Sequence, residues 1–119
     1  MKLFTIDEFT HSRFRNLWIQ PHPHLNVYVR KGNHLHPLTK TMLSTFDIAN
    51  IHVDGDKQGE GIFSTWLSRT ENDARRLGYQ ALHIENVLTD RFATHFKRDT
   101  RWIMTSHAVP SFFLVFEEQ

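Results

Sequence analysis

The chain has 119 residues, of which 39% are hydrophobic, and its formal net charge is +1. This length supports one hydrophobic core but not two, so we expect a single domain over residues 1–119. The small net charge does not indicate nucleic acid or a membrane surface as a partner, and the lack of cysteine excludes disulfides and thiolate catalysis.

The N-terminal residues indicate a soluble cytoplasmic protein. The segment MKLFTIDEFTHSRF carries charges too early for a signal peptide. No apolar run approaches the roughly 18 residues that a membrane-spanning helix needs. A composition without cysteine is also typical of a reducing cytoplasm.

The first third of the chain predicts a helix and then a strand. Residues 5–18 carry apolar side chains at mostly helical spacing, and Thr5 with Glu8 matches a capping box. The segment QPHPH then ends this helix with two prolines. The alternation over residues 25–30 predicts a strand, and KGN at residues 31–33 is typical of a turn.

Residues 41–53 form the longest extended segment. Phe46 and Ile48 alternate onto one face, while Ala49, Ile51 and Val53 alternate onto the other. Apolar side chains on both faces predict a central strand that is covered on both sides.

The rest of the chain predicts a strand–helix–strand crossover followed by a second helix and two strands. The predicted elements are a helix over residues 61–77, a strand over 81–87, a helix over 89–99 and strands over 102–104 and 110–116. A crossover inside an otherwise antiparallel set predicts an α+β fold. The expected architecture is a mixed, mostly antiparallel central sheet with helices on both faces.

The junction between the long strand and the first predicted crossover helix is the strongest functional signal. Gly59 and Gly61 precede a helix N-terminus, where unpaired N–H groups and the helix dipole favour anions. A P-loop is excluded because Ile62 and Phe63 stand where Lys and Ser or Thr are required. A Rossmann loop does not fit the six residues 54–59. A glycine-rich turn without a ligand stays open on these grounds alone.

The spacing resembles the acetyl-CoA loop of the GNAT N-acetyltransferase superfamily. That pattern is Gln or Arg, two residues, Gly, one residue, then Gly or Ala, after a strand that ends in Val. Gln58 and Gly61 match it, Gly59 falls where the family often has Gly, and Phe63 stands where Gly or Ala is expected.

The resemblance extends over about half of the chain, roughly residues 43–104. ARRLGYQALHIENV is similar to the family's helix end and next strand, and DRFATHFKRDTRW to its Asn-x-x-Ala-x-x-Phe-Tyr-x-x-x-Gly-Phe segment. Ala93, Phe96 and Trp102 match in character, whereas Asp90, Lys97 and Arg101 stand at the family's Asn, Tyr and Gly. The domain then divides into a shortened acceptor-side half (1–40), an acetyl-CoA-binding core (41–104) and a C-terminal strand (105–119).

The resemblance implies a compact acyl-CoA N-acyltransferase-like fold that uses acetyl-CoA as a cosubstrate. An amine acceptor would attack the thioester directly, so no enzyme nucleophile is needed. The diphosphate would lie on backbone N–H groups of the loop and the pantetheine arm beside the strand end. The implied cofactor-binding residues are Ile51, Val53, Gln58, Gly59, Glu60, Gly61, Ile62 and Asp90.

Acetyl transfer needs a base for the ammonium and an acid for the departing thiolate. The family's acid is the Tyr replaced by Lys97, which is a candidate acid or a partner for the CoA 3′-phosphate. His95 is a second candidate acid because histidine titrates near neutral pH. His52, Asp54 and Glu85 are candidate bases, with a turn cap and an arginine ion pair as the alternative roles of Asp54 and Glu85.

The nine histidines raise the question of a metal. His22 with His24 and His34 with His36 are spaced to face one side of an extended chain, and four imidazoles could bind zinc. Both pairs lie beside prolines and lack an adjacent Asp or Glu. No metal site is predicted from these pairs.

Two function classes stay open. The first is an acetyl-CoA-dependent N-acetyltransferase. The alternative is a catalytically weakened GNAT-fold binding module that contacts a protein or nucleic acid. Phe63 and Lys97 favour this alternative, because they depart from the family pattern. The sequence does not identify the amine acceptor, and the shortened N-terminal half leaves completion by a homodimer open. The side chains expected to line an acceptor channel are Trp18, His24, Tyr28, Phe46, His52, Ser106 and His107.

Overall fold

The chain forms a six-stranded mixed sheet in a computed structural model that describes residues 2–85, 96, 98–105 and 111–116. The strands lie in the order β1-β2-β3-β4-β6-β5. The β3–β4 pair is parallel, and the other named pairs are antiparallel. The elements are α1 (Ile6–Thr10), β1 (Asn16–His22), β2 (Leu25–Leu35), β3 (Met42–Val53), α2 (Ile62–Arg76), β4 (Ala81–Ile84), β5 (Trp102–Met104) and β6 (Phe112–Val115).

The predicted fold class is confirmed. The β3–α2–β4 crossover lies within a mostly antiparallel sheet, as the strand–helix–strand pattern indicated. Both described helices pack on the same face of the sheet. The helix expected over residues 89–99 lies largely outside the described residues. No helix in the described part of the chain is both long and apolar enough to cross a membrane.

The helix expected over residues 5–18 is wrong beyond Thr10. The capping box forms as predicted, since Thr5 Oγ1 accepts from the Glu8 N–H at 3.1 Å. The chain then turns at Ser12, whose hydroxyl donates to the Phe9 carbonyl at 2.7 Å. Residues 16–22 instead pair with β2, which buries Ile19 against Val27. Pairing with a neighbouring strand overrides the local helical spacing here.

The turn expected at residues 31–33 is also wrong, because β2 continues through them to Leu35. Gly32 is required there for a different reason. A Cβ at this position would lie 2.3 Å from Asp47 Oδ2 on the neighbouring strand. Glycine within a strand commonly marks such a close approach.

A β-bulge at Ala49 corrects the expectation for β3. Val29 pairs with Ile48 and Tyr28 with Asn50, so Ala49 is an extra residue without a partner on β2. The extra residue reverses which side chains face the core. Ile51 and Val53 therefore pack on the same apolar core as Phe46 and Ile48, rather than on the opposite face.

The core lies between this face of the sheet and the two helices. Helix α1 contributes Phe9, whose ring meets the Phe46 ring edge-on at 6.1 Å. Helix α2 contributes Phe63, Leu67 and Ala74. The opposite face of the sheet is different in character, since it buries polar side chains: Thr45, Asp47 and His83.

Candidate functional site

Strands β3 and β4 separate where the bulge begins. They pair in parallel from Thr45–Ala81 to Ile48–Ile84, and the Glu85 N–H donates to the Ile48 carbonyl at 3.0 Å. β3 then continues to Val53 and pairs with β2 alone among the described strands. The β4-facing edge of residues 49–53 therefore offers backbone groups to an extended ligand.

The loop after Val53 is shaped by two glycines. A short 3-10 turn, Gly55–Lys57, follows the strand, and the Gln58 side-chain amide donates to the Val53 carbonyl at 3.2 Å. Gly59 and Gly61 have φ values of 90° and 76°. Both lie in the left-handed region that other residues seldom adopt, so the loop conformation itself requires glycine.

The loop ends at the N-terminus of α2. Gly61 is the N-cap residue, and it has no side chain that could cap the first turn. The first turn also carries no acidic residue. The Thr65 N–H makes the first bond of the helix, to the Gly61 carbonyl at 2.9 Å. The helix dipole at this end favours a negatively charged ligand.

A pocket of about 370 Å³ lies between the strand end, the loop and the helix N-terminus. Six of the predicted cofactor-binding residues line it: Ile51, Val53, Gln58, Gly59, Gly61 and Ile62. Glu60 is exposed on the loop and does not line the pocket. Asp90 lies outside the described residues. Most of the pocket lining was therefore predictable from the sequence.

The candidate bases lie in different settings. The His52 side chain lines the pocket, is 65% exposed and has its Nε2 3.8 Å from Asp54 Oδ1. Asp54 Oδ2 lies 2.9 Å from His24 Nδ1. Glu85 forms an ion pair with Arg30, the alternative role that the sequence left open for it. Two candidate acids, Lys97 and His95, lie outside the described residues.

The expected acceptor channel needs one correction. Phe46 has no solvent exposure, because its side chain belongs to the core beneath α1, so it cannot line a channel. Trp18 is 45% exposed, and its ring centroid lies 5.4 Å from that of Tyr28 on the neighbouring strand. Ser106 and His107 lie outside the described residues.

Sequence reasoning missed a polar cluster on the sheet face opposite the helices. Asp47 is fully buried. Its carboxylate accepts hydrogen bonds from Thr45 Oγ1 at 2.6 Å and from Arg30 Nε at 2.9 Å. It also lies 2.8 Å from His34 Nε2. Burial opposes ionisation, but His83, Thr45 and His34 outweigh it and lower the pKa of Asp47 to about 2. The available signal was an aspartate within the apolar run TFDIA.

Comparison with solved structures shows which known fold this chain shares. Two structures of the AtaT Y144F toxin with the C-terminus of the antitoxin AtaR, one also with acetyl-CoA, match at TM-scores of 0.58 and 0.57 and 15% identity. A KacTA–DNA complex matches at a TM-score of 0.53 and 12% identity. The AtaT and KacT toxins have the GNAT fold. This chain has the GNAT fold.

The likeness at this identity concerns the fold. It covers 77% of this chain and 58% of each AtaT chain, and 76% of this chain and 57% of the KacTA chain. The chain thus spans less than two thirds of the length of these GNAT-fold neighbours. No protein-family model matches the sequence, and no curated protein matches it. The fold that the Gln58–Gly61 spacing implied is confirmed.

Proposed function

We propose that this chain is an acetyl-CoA-dependent N-acetyltransferase. The observation that carries the proposal is the pocket at the point where β3 and β4 separate. It combines a strand edge that pairs with no other described strand, a loop with two left-handed glycines and a helix N-terminus without a side-chain cap. A diphosphate fits the helix end, and an extended pantetheine arm fits the strand edge. The AtaT–AtaR complex solved with acetyl-CoA supports this assignment.

In the proposed reaction, the acceptor nitrogen attacks the thioester carbonyl carbon and the carbon–sulfur bond breaks. A backbone N–H near the end of β3 would polarise the carbonyl oxygen. The base takes a proton from the acceptor, and an acid returns one to the CoA thiolate. His95 and Lys97 stay the candidate acids.

We assign the base to His52 rather than Glu85. His52 lines the pocket and is accessible to solvent, and the carboxylate of Asp54 lies near enough to stabilise an imidazolium. Glu85 already holds the guanidinium of Arg30. This ion pair occupies the Glu85 carboxylate, whereas the His52 side chain is open to the pocket.

The neighbours also support a macromolecular partner, since they were solved with an antitoxin segment or with DNA. A second groove, of about 510 Å³, lies near the other end of α2 and includes Arg13, Arg15 and Lys31 in its lining. Basic side chains in a groove suit an acidic segment or a phosphate backbone. If acetyl-CoA does not bind, a binding module with such a partner becomes the better assignment.

The direct test is calorimetric titration of the protein with acetyl-CoA and with CoA. Gly61→Asn is the informative variant, because asparagine tolerates the left-handed conformation whereas a β-branched residue would strain it. The added side chain stands at the pocket wall, so we expect acetyl-CoA affinity to fall by more than about tenfold. Gly78→Asn is the matched control, since Gly78 also has a positive φ of 93° and an added Cβ there meets nothing within 4 Å.

The two glycine variants separate a local effect on the pocket from a general effect on folding. Circular dichroism and thermal unfolding should show that both variants are folded. Wild-type affinity in Gly78→Asn with weakened binding in Gly61→Asn supports the proposed site. Equal affinity in both variants, or no binding by the wild-type protein, contradicts it.

A further inference from the structure

Four potential metal ligands meet on the polar face of the sheet, away from the pocket lining. His34 on β2, Asp47 on β3, His83 on β4 and Glu85 directly after β4 place one ligand atom each within 4.8 Å of the others. Residues from three adjacent strands thus converge on one point. Asp47 is opposite His83 in the parallel pair, which fixes these two side chains on the same face.

His83 is the member of this cluster whose buried ring nitrogen lacks a hydrogen bond. It is 6% exposed, and its Nδ1 has no hydrogen-bond partner among the described residues. Its ring stacks on Phe113 at a centroid distance of 4.4 Å, which holds the imidazole in place. Buried polar atoms normally have a partner, so an orphaned nitrogen that faces two carboxylates points to a missing ligand.

The distances around His83 fit a metal better than a hydrogen bond. Nδ1 lies 3.6 Å from Asp47 Oδ1 and 3.7 Å from Glu85 Oε1. Both separations are too long for a hydrogen bond. Ligands bound tetrahedrally to zinc at about 2.0–2.1 Å lie about 3.3–3.4 Å apart. A movement of a few tenths of an ångström would therefore bring these three atoms to zinc-ligand spacing, and the wider separations in the cluster, up to 4.8 Å, require larger side-chain movements.

The net charge of the cluster is negative, which favours binding of a cation. Asp47 and Glu85 contribute two negative charges and Arg30 one positive charge, so one negative charge remains when the imidazoles are neutral. Arg30 contacts Asp47 through Oδ2 and Glu85 through Oε1. Asp47 Oδ1 faces His83 and is not held by Arg30, whereas an ion would share the Glu85 carboxylate with Arg30. A buried excess charge needs a counter-ion, either a proton on a histidine or a metal.

We propose that His34, Asp47, His83 and Glu85 bind a divalent transition-metal ion of the zinc type. Two imidazoles and two carboxylates suit zinc better than magnesium or calcium. Four protein ligands fill a tetrahedral shell, so the ion is structural and links β2, β3 and β4. Thr45 and Arg30 then act as hydrogen-bond partners that orient the Asp47 carboxylate. Glu85 as a ligand is no longer available as a base.

The test uses untagged protein dialysed against EDTA and titrated with Co²⁺ and then with Zn²⁺. We expect the strong visible absorption of tetrahedral Co²⁺ to saturate at one ion per chain and to disappear on addition of Zn²⁺. We also expect Zn²⁺ to raise the unfolding temperature, because an ion that binds only the folded state stabilises it. Neither measurement depends on acetyl-CoA or on transfer activity.

Two cluster variants and one control complete the experiment. His34→Gln keeps a donor near Asp47 but is a poor ligand, and His83→Phe keeps a ring against Phe113. Both should lose the Co²⁺ absorption and bind Zn²⁺ more than about tenfold more weakly. His11→Gln, an exposed histidine outside the cluster, should behave as wild type. If His83→Phe does not fold, His34→Gln decides the result.

The proposal fails if wild-type protein shows no tetrahedral Co²⁺ absorption, or if its Zn²⁺ affinity equals that of His34→Gln. In that case the cluster is an ion-pair network of Arg30, Asp47 and Glu85 whose remaining charge is balanced by a proton on a histidine.

Discussion

Glycine at position 32 leaves the space that the buried carboxylate of Asp47 occupies on the neighbouring strand. The Asp47 carboxylate is fully buried and is held by Arg30 and Thr45. It fits only because the opposing strand has no side chain at position 32, where a Cβ would lie 2.3 to 2.8 Å from the carboxylate atoms. A larger residue must therefore displace Asp47 from its partners or push the strands apart.

We predict that Gly32→Ala destabilises the protein by about 1–3 kcal/mol. The Asp47 side chain cannot move aside cheaply, because its hydrogen bonds are buried. Urea unfolding monitored by circular dichroism would measure the change. Gly55→Ala is the control, since an added Cβ at position 55 meets nothing within 4 Å. Equal free energies of unfolding for the two variants would refute the close approach.

Local signals in the sequence were sufficient for the loop but not for the cluster. Gln58, Gly59 and Gly61 lie within four consecutive positions, so a local pattern was enough to single out the loop that lines the pocket. The contact between Arg30 and Glu85 joins residues that are 55 positions apart. It depends on the register of three strands, and no local pattern specifies that register.

At the scale of elements, the bulge at Ala49 connects the fold to the pocket. If Ala49 occupied a regular, paired position in the strand, strict alternation would turn Ile51 and Val53 away from the core and turn His52 into it. With the bulge, the two apolar side chains pack on the core and His52 stays exposed at the pocket. Bulges are common beside functional sites, where they redirect side chains in this way.

We predict that deletion of Ala49 destabilises the fold by about 0.5–3 kcal/mol, because the pairs with β2 and the faces of residues 50–53 are kept but the local bend that fits the strand end to the core is lost. It should also abolish acetyl-CoA binding, because the strand end forms one wall of the pocket. Ala49→Ser keeps the residue count and is the control. Urea unfolding and calorimetry would measure both effects. A deletion variant that matches Ala49→Ser in stability and in acetyl-CoA affinity would show that the bulge does not shape the strand end.

The two errors in predicting elements share a physical cause. Residues 16–18 continue a helical spacing, and Lys31-Gly32-Asn33 looks like a turn, yet both segments are strands. In each case pairing with a neighbouring strand determines the outcome. Segments whose contacts are local were predicted well: the capping box at Thr5 and helix α2 match the expectation closely.

At the scale of the whole molecule, the sheet separates two kinds of chemistry. One face carries the apolar core beneath α1 and α2, and the other carries the buried polar cluster. The pocket lies at the edge between them, where β3 leaves β4. This division places the Gly59–Gly61 loop, the proposed acetyl-CoA site, on the edge of the apolar core.

The last prediction concerns the acceptor, and it rests on the proposed acetyl transfer. Trp18, Tyr28 and Asn50 form a row across β1, β2 and β3, two positions along the strands from the Asn26–His52 pair. The nearby carboxylate of Asp54 already faces two imidazoles, those of His24 and His52. A lysine ammonium entering here would lose water without gaining a free carboxylate, whereas an aromatic amine could stack on the exposed Trp18 ring.

We therefore predict that an aromatic or nucleobase-like amine is acetylated with a kcat/KM more than about tenfold above that of a lysine peptide. Release of CoA in the presence of each amine would measure it. Trp18→Ala should reduce this preference, because the stacking surface is lost. Phe4→Ala removes another exposed aromatic, 48% accessible and absent from the row, and should leave the preference unchanged. Acetyl-CoA affinity measured on the same samples separates loss of acceptor binding from loss of the cofactor. Equal rates for the two amine classes at unchanged acetyl-CoA affinity would show that the aromatic row does not select the acceptor.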